Sequence, residues 1–184
     1  LKRFLREPPR LAVDIGGNVG EYAAELRKLG RELDIVVFEP SRTNTAKLAQ
    51  RFGSDPRIAI VPCALSDEAG AATLFSDMPG SGLGSLTKRR LEERGIAFDT
   101  AETVTTLRFE DYWREQLGRR PLDLVKIDVE GHELAVLKGF GEAIDAVKVL
   151  QFEFGGCNVD TRTFFRDFWH FFSERGFGSH RITP

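Results

Sequence analysis

The sequence has few of the features that mark zinc-binding, secreted or membrane proteins. It contains only two cysteines, Cys63 and Cys157, and no C-x-x-C pair, which argues against a zinc site. A single disulfide is one interpretation of these residues, but two buried free thiols in a reducing cytosol fit better. The longest apolar runs, such as IVVF, are too short to cross a bilayer, and no signal-peptide pattern is present. We therefore predict a cytoplasmic protein without a transmembrane segment.

Strong charge of either sign is also missing. The chain carries 26 Lys and Arg against 28 Asp and Glu, a net charge of -2, so binding to nucleic acid is not expected. Its 184 residues allow one domain with a substantial core, and we predict a single domain over residues 1–184. The chain begins with Leu1, which favours a processed or excised piece of a longer protein. No signal for a particular oligomeric state is present.

Short β-like runs alternate with helical periods, which predicts an α/β fold with a mainly parallel sheet. Strands are predicted at residues 10–16, 33–39, 57–65, 71–75, 101–107, 122–129, 147–154 and 177–183. Helices are predicted at residues 19–30, 41–52, 87–95, 109–117, 132–139 and 163–175, and a glycine-rich loop at 77–86. The strands at 71–75 and 101–107 interrupt the rhythm. They predict an extra β insertion between the third and fourth strands of the main sheet.

The segment AVDIGGNVGEY, residues 12–22, has the composition of a buried strand followed by a nucleotide-binding turn. Its glycines fit neither the dinucleotide pattern G-x-G-x-x-G nor the P-loop pattern. They fit D-x-G-x-N-x-G, formed by Asp14, Gly16, Asn18 and Gly20. Such a turn lets bare backbone approach a ligand, and its carbonyls beside Asp14 suit an ammonium group. The pattern favours a ligand with an amino-acid tail over a pyrophosphate.

Glu39 supplies a second cofactor signal. It ends the second predicted strand, about 20 positions after the glycine turn, where an acidic residue holds a ribose diol in dinucleotide-binding folds. An adenosine that carries a methionine tail, S-adenosylmethionine, satisfies both signals. The alternative is a tight strand-to-helix turn followed by a surface glutamate. We predict S-adenosylmethionine as the cofactor.

Six stretches together resemble a known family. They are VDIGGNVGEY, VFEPSRTNTAKL, CALSDEAGAATLF, VTTLRFEDY, VKIDVEGHELAVLKGF and QFEFGGCNVDTRTFFRDFWHFF. Over nearly its whole length the chain resembles the FkbM-type S-adenosylmethionine-dependent methyltransferases. The resemblance implies the class I, Rossmann-like methyltransferase fold, a doubly wound sheet ordered 3-2-1-4-5-7-6 with an antiparallel last strand. Because the chain stops at Pro184, during or just after the sixth strand, either the last strand is missing or the sheet closes differently.

The resemblance also implies the cofactor-binding residues, all at the carboxyl ends of predicted strands or in the turns that follow them. They are Asp14, Gly16, Asn18 and Gly20 at the methionine end, Glu39 at the ribose, Ala64, Leu65 and Asp67 at the adenine, and Asp128 at the sulfonium.

The segment KIDVEGHE, residues 126–133, contains the predicted catalytic residues Asp128, Glu130 and His132. Methyl transfer to a hydroxyl needs a group that takes its proton, and histidine has the best ordinary pKa for this near neutrality. The alternatives are a surface histidine and a carboxylate stabilised by the dipole of the following helix. Lys126 is predicted to pair with a neighbouring carboxylate.

Three further residues are predicted to contact the substrate. Glu153 ends the fifth strand of the main sheet, beside Asp128, and Asn158 follows it as a hydrogen-bonding candidate for a sugar hydroxyl. Ser85 lies in the glycine-rich loop, which we expect to be a flap over the acceptor. Asp128, Glu130 and Glu153 form an oxygen cluster of the kind that holds Mg²⁺ or Ca²⁺, but a divalent metal is not expected.

These features predict an S-adenosylmethionine-dependent O-methyltransferase with a small-molecule or glycan acceptor. The resemblance, not the residues, suggests a sugar hydroxyl of a polysaccharide, glycolipid or natural product. One alternative is methylation at nitrogen or of a non-sugar small molecule, and another is a non-catalytic cofactor-binding domain of a larger glycan-assembly protein. The basic run at 88–90 would suit an anionic acceptor, although a solvated helix face is the interpretation that we favour.

Overall fold

Eight strands form two sheets in a computed structural model that describes residues 4–5 and 7–182. They are β1 (Leu11–Ile15), β2 (Asp34–Phe38), β3 (Ile58–Val61), β4 (Ala64–Leu65), β5 (Gly70–Ser76), β6 (Thr100–Leu107), β7 (Leu122–Ile127) and β8 (Val147–Phe152). The main sheet has five parallel strands in the order β3-β2-β1-β7-β8. The second sheet, β4-β6-β5, is the predicted insertion, in which β5 and β6 run antiparallel.

Helices cover both faces of the main sheet. They are α1 (Glu21–Arg27), α2 (Arg42–Phe52), α3 (Phe109–Glu115), α4 (Glu133–Gly139), α5 (Cys157–Asp160) and α6 (Phe165–Ser173). On one face, Leu26 of α1 and Leu48 of α2 are buried against the sheet. On the other face, Phe109, Val136 and Phe168 bring α3, α4 and α6 into the larger core. The sheet is therefore doubly wound, as predicted.

The central strands are apolar because both of their faces are covered. Every residue of β1 and β7 is buried, which is typical of parallel strands enclosed between helices. Asp123 joins the starts of the two strands, because its carboxylate accepts the backbone N–H of Leu11 at 3.1 Å. The order of the five strands matches the first five positions of the class I methyltransferase sheet, and the predicted fold class is confirmed.

The predicted strand at 57–65 is wrong in its second half. β3 ends at Val61 because Pro62 has no N–H to continue the ladder. The Cys63 N–H then donates to the Val61 carbonyl at 2.9 Å, which turns the chain. Residues 64–65 leave the main sheet and pair with β6 as β4.

The predicted strand at 177–183 is also wrong over residues 177–182, and residue 183 lies outside the described residues. Gly176 adopts a left-handed conformation with φ +75° after α6. The Phe177 N–H donates to the Phe172 carbonyl at 3.0 Å, and the two rings pack with their centroids 5.7 Å apart. A left-handed glycine followed by an apolar contact is a common end for a helix. Within residues 7–182, no strand pairs with the outer edge of β8.

Two short elements also depart from the sequence predictions. The helix expected at 87–95 is reduced to one 3-10 turn at Glu92–Arg94, and α5 is not predicted at all. Leu91 is the only large apolar residue of the segment at 87–95, so the segment has no apolar stripe of the kind that stabilises a helix against the core. The longest described helix, α2, has 11 residues, and no helix in the described part of the chain is long and apolar enough to cross a bilayer.

We predict that Gly16→Ala destabilises the protein because it would disrupt the joint between β1 and β7. Gly16 has φ +79°, and a Cβ there would lie 1.8 Å from the Asp128 carbonyl oxygen. The free energy of unfolding in urea should fall by roughly 2 kcal/mol or more. The control is Gly30→Ala, where no atom lies within 4 Å of the added Cβ, and its stability should stay within about 0.5 kcal/mol of the wild type. Equal stabilities for the two variants would contradict this account.

Candidate functional site

A cavity of about 340 Å³ lies at the carboxyl ends of β1, β2, β3 and β7. Its volume falls within the range of roughly 300–1,000 Å³ that small-ligand sites occupy. The turn after β1, the start of α2, the second sheet and the turn after β7 form its walls. Ligands of open α/β sheets bind at this edge, so the cavity stands where the cofactor is predicted.

The glycine turn after β1 forms the floor of the cavity. The N–H groups of Gly16 and Gly17 both donate to the Phe38 carbonyl, at 2.9 and 3.0 Å, and join the turn to β2. Asn18 adopts the left-handed conformation with φ +47°, and its N–H donates to the Glu39 Oε2 at 2.8 Å. Gly16, Asn18 and Glu39, three of the predicted cofactor-binding residues, all line the cavity.

Glu39 is a buried carboxylate at the end of β2, with 6% of its surface exposed. Besides the Asn18 N–H, it accepts the N–H of Ser41 at 2.9 Å on its Oε1. Burial raises the pKa of Glu39, and these backbone hydrogen bonds oppose the shift. Each carboxylate oxygen keeps a further acceptor position, since an oxygen has more than one lone pair. Two adjacent hydroxyls of a ribose are suitable donors for these positions.

Unpaired polar atoms around Glu39 indicate that the cavity is built for a polar ligand. Asn18 Oδ1, Ser41 Oγ and Asn44 Oδ1 are buried without a hydrogen-bond partner among the described residues, and all three residues line the cavity. Ser41 is 4% exposed and Asn44 is 2% exposed. Buried polar atoms of folded proteins are nearly always paired, so these atoms require a partner that the chain itself does not supply.

Two of the predicted cofactor residues, Asp14 and Gly20, lie outside the cavity lining. Asp14 is fully buried beneath the turn, and burial raises its pKa, although Lys126 opposes the shift. A Cβ at Gly20 would lie 2.4 Å from the Phe52 ring, so this glycine lets α1 pack closely against α2. Both residues therefore shape the turn from behind.

Lys126 is the cation of this region, and it pairs with carboxylates as predicted. Its Nζ lies 3.2 Å from Asp128 Oδ2 and 3.5 Å from Asp14 Oδ1. It also donates to the Gly16 carbonyl at 3.3 Å. With 8% of its surface exposed, Lys126 is buried where β1 and β7 end. It neutralises part of the carboxylate charge and ties both strands to the turn.

Ala64 and Leu65, the predicted adenine neighbours, line the cavity, whereas Asp67 is exposed beside it. Ser66 Oγ donates to Asp67 Oδ1 at 3.0 Å and lies 2.9 Å from Nε2 of His132. Because the Ser66 proton is used on Asp67, its oxygen accepts the Nε2 proton of His132. Burial lowers the pKa of His132, which leaves a neutral ring in the cavity wall.

Glu130, the second predicted catalytic residue, is bound by an arginine. It has φ +53°, and its Oε2 accepts Nη1 of Arg89 at 2.7 Å. Arg89 is 7% exposed and also lies 3.2 Å from Asp160 Oδ2. Burial raises the pKa of Glu130, and Arg89 opposes that shift. The favoured interpretation of the run at 88–90 as a solvated helix face is therefore wrong for Arg89.

Glu153 lies beside Asp128 where β7 and β8 end. Ile127 and Phe152 are paired in the parallel register, which brings the next residue of each strand together. Contact with the Asp128 carboxylate raises the pKa of Glu153 to about 7, with smaller contributions from burial and from Glu130. Asp128 lines the cavity, and Glu153 stands next to it on the exposed side.

Ser85 and Asn158 have other roles than the predicted substrate contacts. Each is 1% exposed. Ser85 Oγ donates to the Glu130 carbonyl at 2.8 Å, which attaches the glycine-rich loop to the turn after β7. Asn158 Nδ2 donates to Glu133 Oε2 at 3.1 Å, and its Oδ1 accepts the Gly155 N–H at 2.8 Å. Buried and hydrogen-bonded, both side chains hold the walls of the site.

The glycine-rich loop at 77–86 lies against the start of α2 and the turn after β1. A Cβ at Gly80 would lie 2.7 Å from Thr43 at the start of α2, and one at Gly82 would lie 3.2 Å from Asn18 Nδ2. The glycines therefore permit a close approach to the predicted ribose region. The flap over the acceptor remains a prediction.

Sequence reasoning missed several functional neighbours. Ser41, Thr43 and Asn44 line the cavity, and the polar run SRTN directly after Glu39 was the available signal. It also missed Glu133, which is fully buried and whose Oε1 accepts the Val129 and Gly131 N–H groups, both at 3.1 Å. No local signal distinguishes Glu133 from an exposed helix-start glutamate, because its partners are set by the tertiary fold.

Both cysteines are free and buried, as predicted. Cys63 lines the cavity, and burial raises its pKa to about 12, so it remains a thiol at neutral pH. Within residues 7–182, no group of three or more His, Cys, Asp and Glu side chains has the geometry to hold a metal ion.

The glycine turn, Glu39 and the neighbouring carboxylates Asp128 and Glu153 all lie in a part of the chain that matches a known family. The methyltransferase FkbM domain matches residues 14–178. The chain belongs to the FkbM methyltransferase family. It is 28% identical over 161 residues to 2-O-methyltransferase NoeI of Sinorhizobium fredii, covering 82% of this chain and 65% of NoeI. It is 30% identical over 155 residues to methyltransferase sdnD of Sordaria araneosa, covering 71% and 60%.

The chain spans less than two thirds of the length of these curated relatives. Among solved structures, a precorrin-6Y C5,15-methyltransferase from Geobacter metallireducens GS-15 aligns with 95% of this chain and 67% of its own. The TM-score is 0.47 at 12% identity, a similarity too weak to bear on function.

We predict that Asn158→Ala lowers stability by about 1–3 kcal/mol, because it leaves the Glu133 carboxylate and the Gly155 N–H without their partner. Urea unfolding measures the change. The control is Val159→Ala in the same helix, where the side chain is 77% exposed and the expected change is within about 0.5 kcal/mol. Full stability of Asn158→Ala would return this residue to the list of possible substrate contacts.

Proposed function

We propose that this chain is the catalytic domain, over residues 1–184, of an S-adenosylmethionine-dependent O-methyltransferase. Membership of the FkbM family supports the reaction class. One observation carries the cofactor assignment: the Glu39 carboxylate faces a cavity edged by the unpaired buried oxygens of Asn18, Ser41 and Asn44. A polar ligand with hydroxyl and ammonium donors would satisfy these acceptors, and S-adenosylmethionine has both.

The residues around the cavity fit the parts of this cofactor in order along the sheet. Glu39 would accept the ribose hydroxyls at the end of β2, and Gly16 and Asn18 would hold the methionine end after β1. Ala64 and Leu65 would border the adenine, since they line the wall beyond β3. When bound, the cofactor supplies an electrophilic methyl group on a sulfonium. The carboxylate of Asp128 at the end of β7 would favour that positive charge.

The acceptor that we propose is a sugar hydroxyl of a polysaccharide, glycolipid or natural product. The name of one relative, 2-O-methyltransferase NoeI, supports transfer to oxygen. We expect the methyl group of the cofactor to lie beside Asp128, and the exposed carboxyl end of β8 would be the open approach to it. Carboxylates at this end can accept the proton of a hydroxyl group. Two free buried thiols, Cys63 and Cys157, support a reducing compartment such as the cytoplasm.

We predict that Glu39→Gln weakens binding of S-adenosylhomocysteine ten- to hundredfold in calorimetry. The amide keeps the shape of the side chain but loses the charge and one acceptor oxygen, and a hydrogen bond to a charged group is worth roughly 1.5–3 kcal/mol. Glu68→Gln is the matched control, because Glu68 is exposed and lies outside the cavity lining. Its affinity should equal that of the wild type.

Three outcomes would count against the proposal in different ways. Equal affinities for Glu39→Gln and the wild type would remove Glu39 from the ribose site. If the protein bound NAD but neither S-adenosylmethionine nor S-adenosylhomocysteine, the assignment of S-adenosylmethionine as the cofactor would be wrong. Cofactor binding without methylation of any hydroxyl or amine acceptor would favour the alternative of a non-catalytic domain, whereas methylation of amines alone would favour an N-methyltransferase.

A further inference from the structure

Four ionisable side chains near the predicted methyl position are candidates for taking the proton of the acceptor. Three of them already have strong partners. His132 Nε2 is hydrogen-bonded to Ser66, Glu130 is paired with Arg89 at 2.7 Å, and Asp128 is paired with Lys126 at 3.2 Å.

Glu153 is the fourth, and it differs from the others. No cation lies within 4.0 Å of its carboxylate among the described residues, and its side chain is exposed. It is therefore the carboxylate that an incoming acceptor can reach without breaking an ion pair.

The position of Glu153 also separates it from His132. The Glu153 N–H donates to the Ile127 carbonyl at 3.0 Å, which fixes its backbone at the end of β8 beside Asp128. His132 lies on the other side of the cavity, where its ring contacts Ser66 just after β4. The β4 wall is the proposed adenine side. A cofactor that fills the cavity above β1 to β3 would leave the β8 side for the acceptor.

We propose that Glu153 is the catalytic residue that takes the proton of the methylated hydroxyl, and that Asp128 is a positioning residue that holds it. This inference rests on the proposed function. The hydroxyl O–H bond breaks and its proton passes to a Glu153 carboxylate oxygen. The hydroxyl oxygen forms a bond to the methyl carbon, and the methyl–sulfur bond breaks with its electron pair remaining on sulfur.

The charges around Glu153 support this role. Asp128 contacts it from the end of β7, while Glu130 and Glu133 face it from the turn after β7 and the start of α4. Like charges in contact favour the sharing of one proton by two carboxyls. Lys126 lies 3.2 Å from Asp128, so that Asp128 has a cation as its partner and Glu153 has none among the described residues.

The first test is a titration that does not require turnover. Carbon-13 NMR of protein labelled at glutamate carboxyls should include a resonance with a midpoint near pH 7. Glu153→Gln should remove that resonance, and Asp128→Asn should move its midpoint to lower pH because the neighbouring charge is lost. A Glu153 midpoint in the ordinary range of glutamate, near 4 to 5, would overturn the inference regardless of activity.

The second test uses a panel of methyl glycosides as acceptors, with mass spectrometry of the methyl ether and of S-adenosylhomocysteine. Glu153→Gln should lower kcat by at least 100-fold, the usual contribution of a general base, with S-adenosylhomocysteine affinity unchanged within about twofold. Wild-type kcat should fall about tenfold for each pH unit below 7, because Glu153 becomes protonated. His132→Gln should keep this acidic limb, and Glu68→Gln should match the wild type throughout.

Each negative result would contradict a different part of the proposal. Full kcat in Glu153→Gln, or loss of the acidic limb in His132→Gln, would overturn the role of Glu153. Activity that EDTA abolishes and Mg²⁺ restores would assign the carboxyl pair to a metal and also overturn it. If no glycoside is methylated, the sugar acceptor of the proposed function fails, and the titration still decides whether Glu153 accepts a proton near neutrality.

Discussion

The close contact between Gly16 and the end of β7 is the constraint on which the site depends. With only a hydrogen in place of a side chain, the turn after β1 rests on the Asp128 carbonyl, where a Cβ would lie 1.8 Å away. The contact joins the strand that carries the cofactor turn to the strand that carries the predicted sulfonium neighbour. Lys126 completes the joint, because it reaches both Asp14 and Asp128. The proposed methyl transfer would need the two halves at a fixed distance, and this packing would set it.

The carboxyl edge of the main sheet gathers more negative charge than its cations neutralise. Burial raises the pKa of Asp14, Glu39 and Glu130, and contact with Asp128 raises that of Glu153. Such an arrangement costs stability, and backbone N–H groups offset part of that cost at Glu39. A ligand that carries a sulfonium and an ammonium would relieve it.

The sequence predicted the fold where local pattern and burial agree. Strands enclosed on both faces read as continuous apolar runs, so β1, β2, β7 and β8 were predictable within a few residues. The third strand was predicted too long because Pro62 ends the hydrogen-bond ladder in the middle of an apolar run. The prediction of a final strand was wrong because Phe177 packs its ring against Phe172 at the end of a helix. The hydrophobic pattern alone does not distinguish such a helix end from the start of a strand.

In the site too, some residue positions follow from sequence motifs, and others depend on the tertiary fold. Gly16, Asn18 and Glu39 meet at the cavity because strand ends and turns fix their positions. The surroundings of Ser85 and Asn158 are set by residues distant in the sequence, Glu130 and Glu133, to which they are hydrogen-bonded. Whether a polar residue faces a ligand or a neighbouring carboxylate is set by the packing of several elements. A single sequence does not contain that information in any local pattern.

The insertion between β3 and β7 acts on the site through two contacts at one turn. Ser85 binds the Glu130 carbonyl, and the buried guanidinium of Arg89 binds the Glu130 carboxylate and Asp160 of α5. Glu130 itself has φ +53°, a conformation that a residue with a side chain keeps only under support from its surroundings. The insertion supplies that support. A segment that interrupts the α/β pattern thus holds the turn beside Asp128 and Glu153, while its glycines line the same cavity near the start of α2.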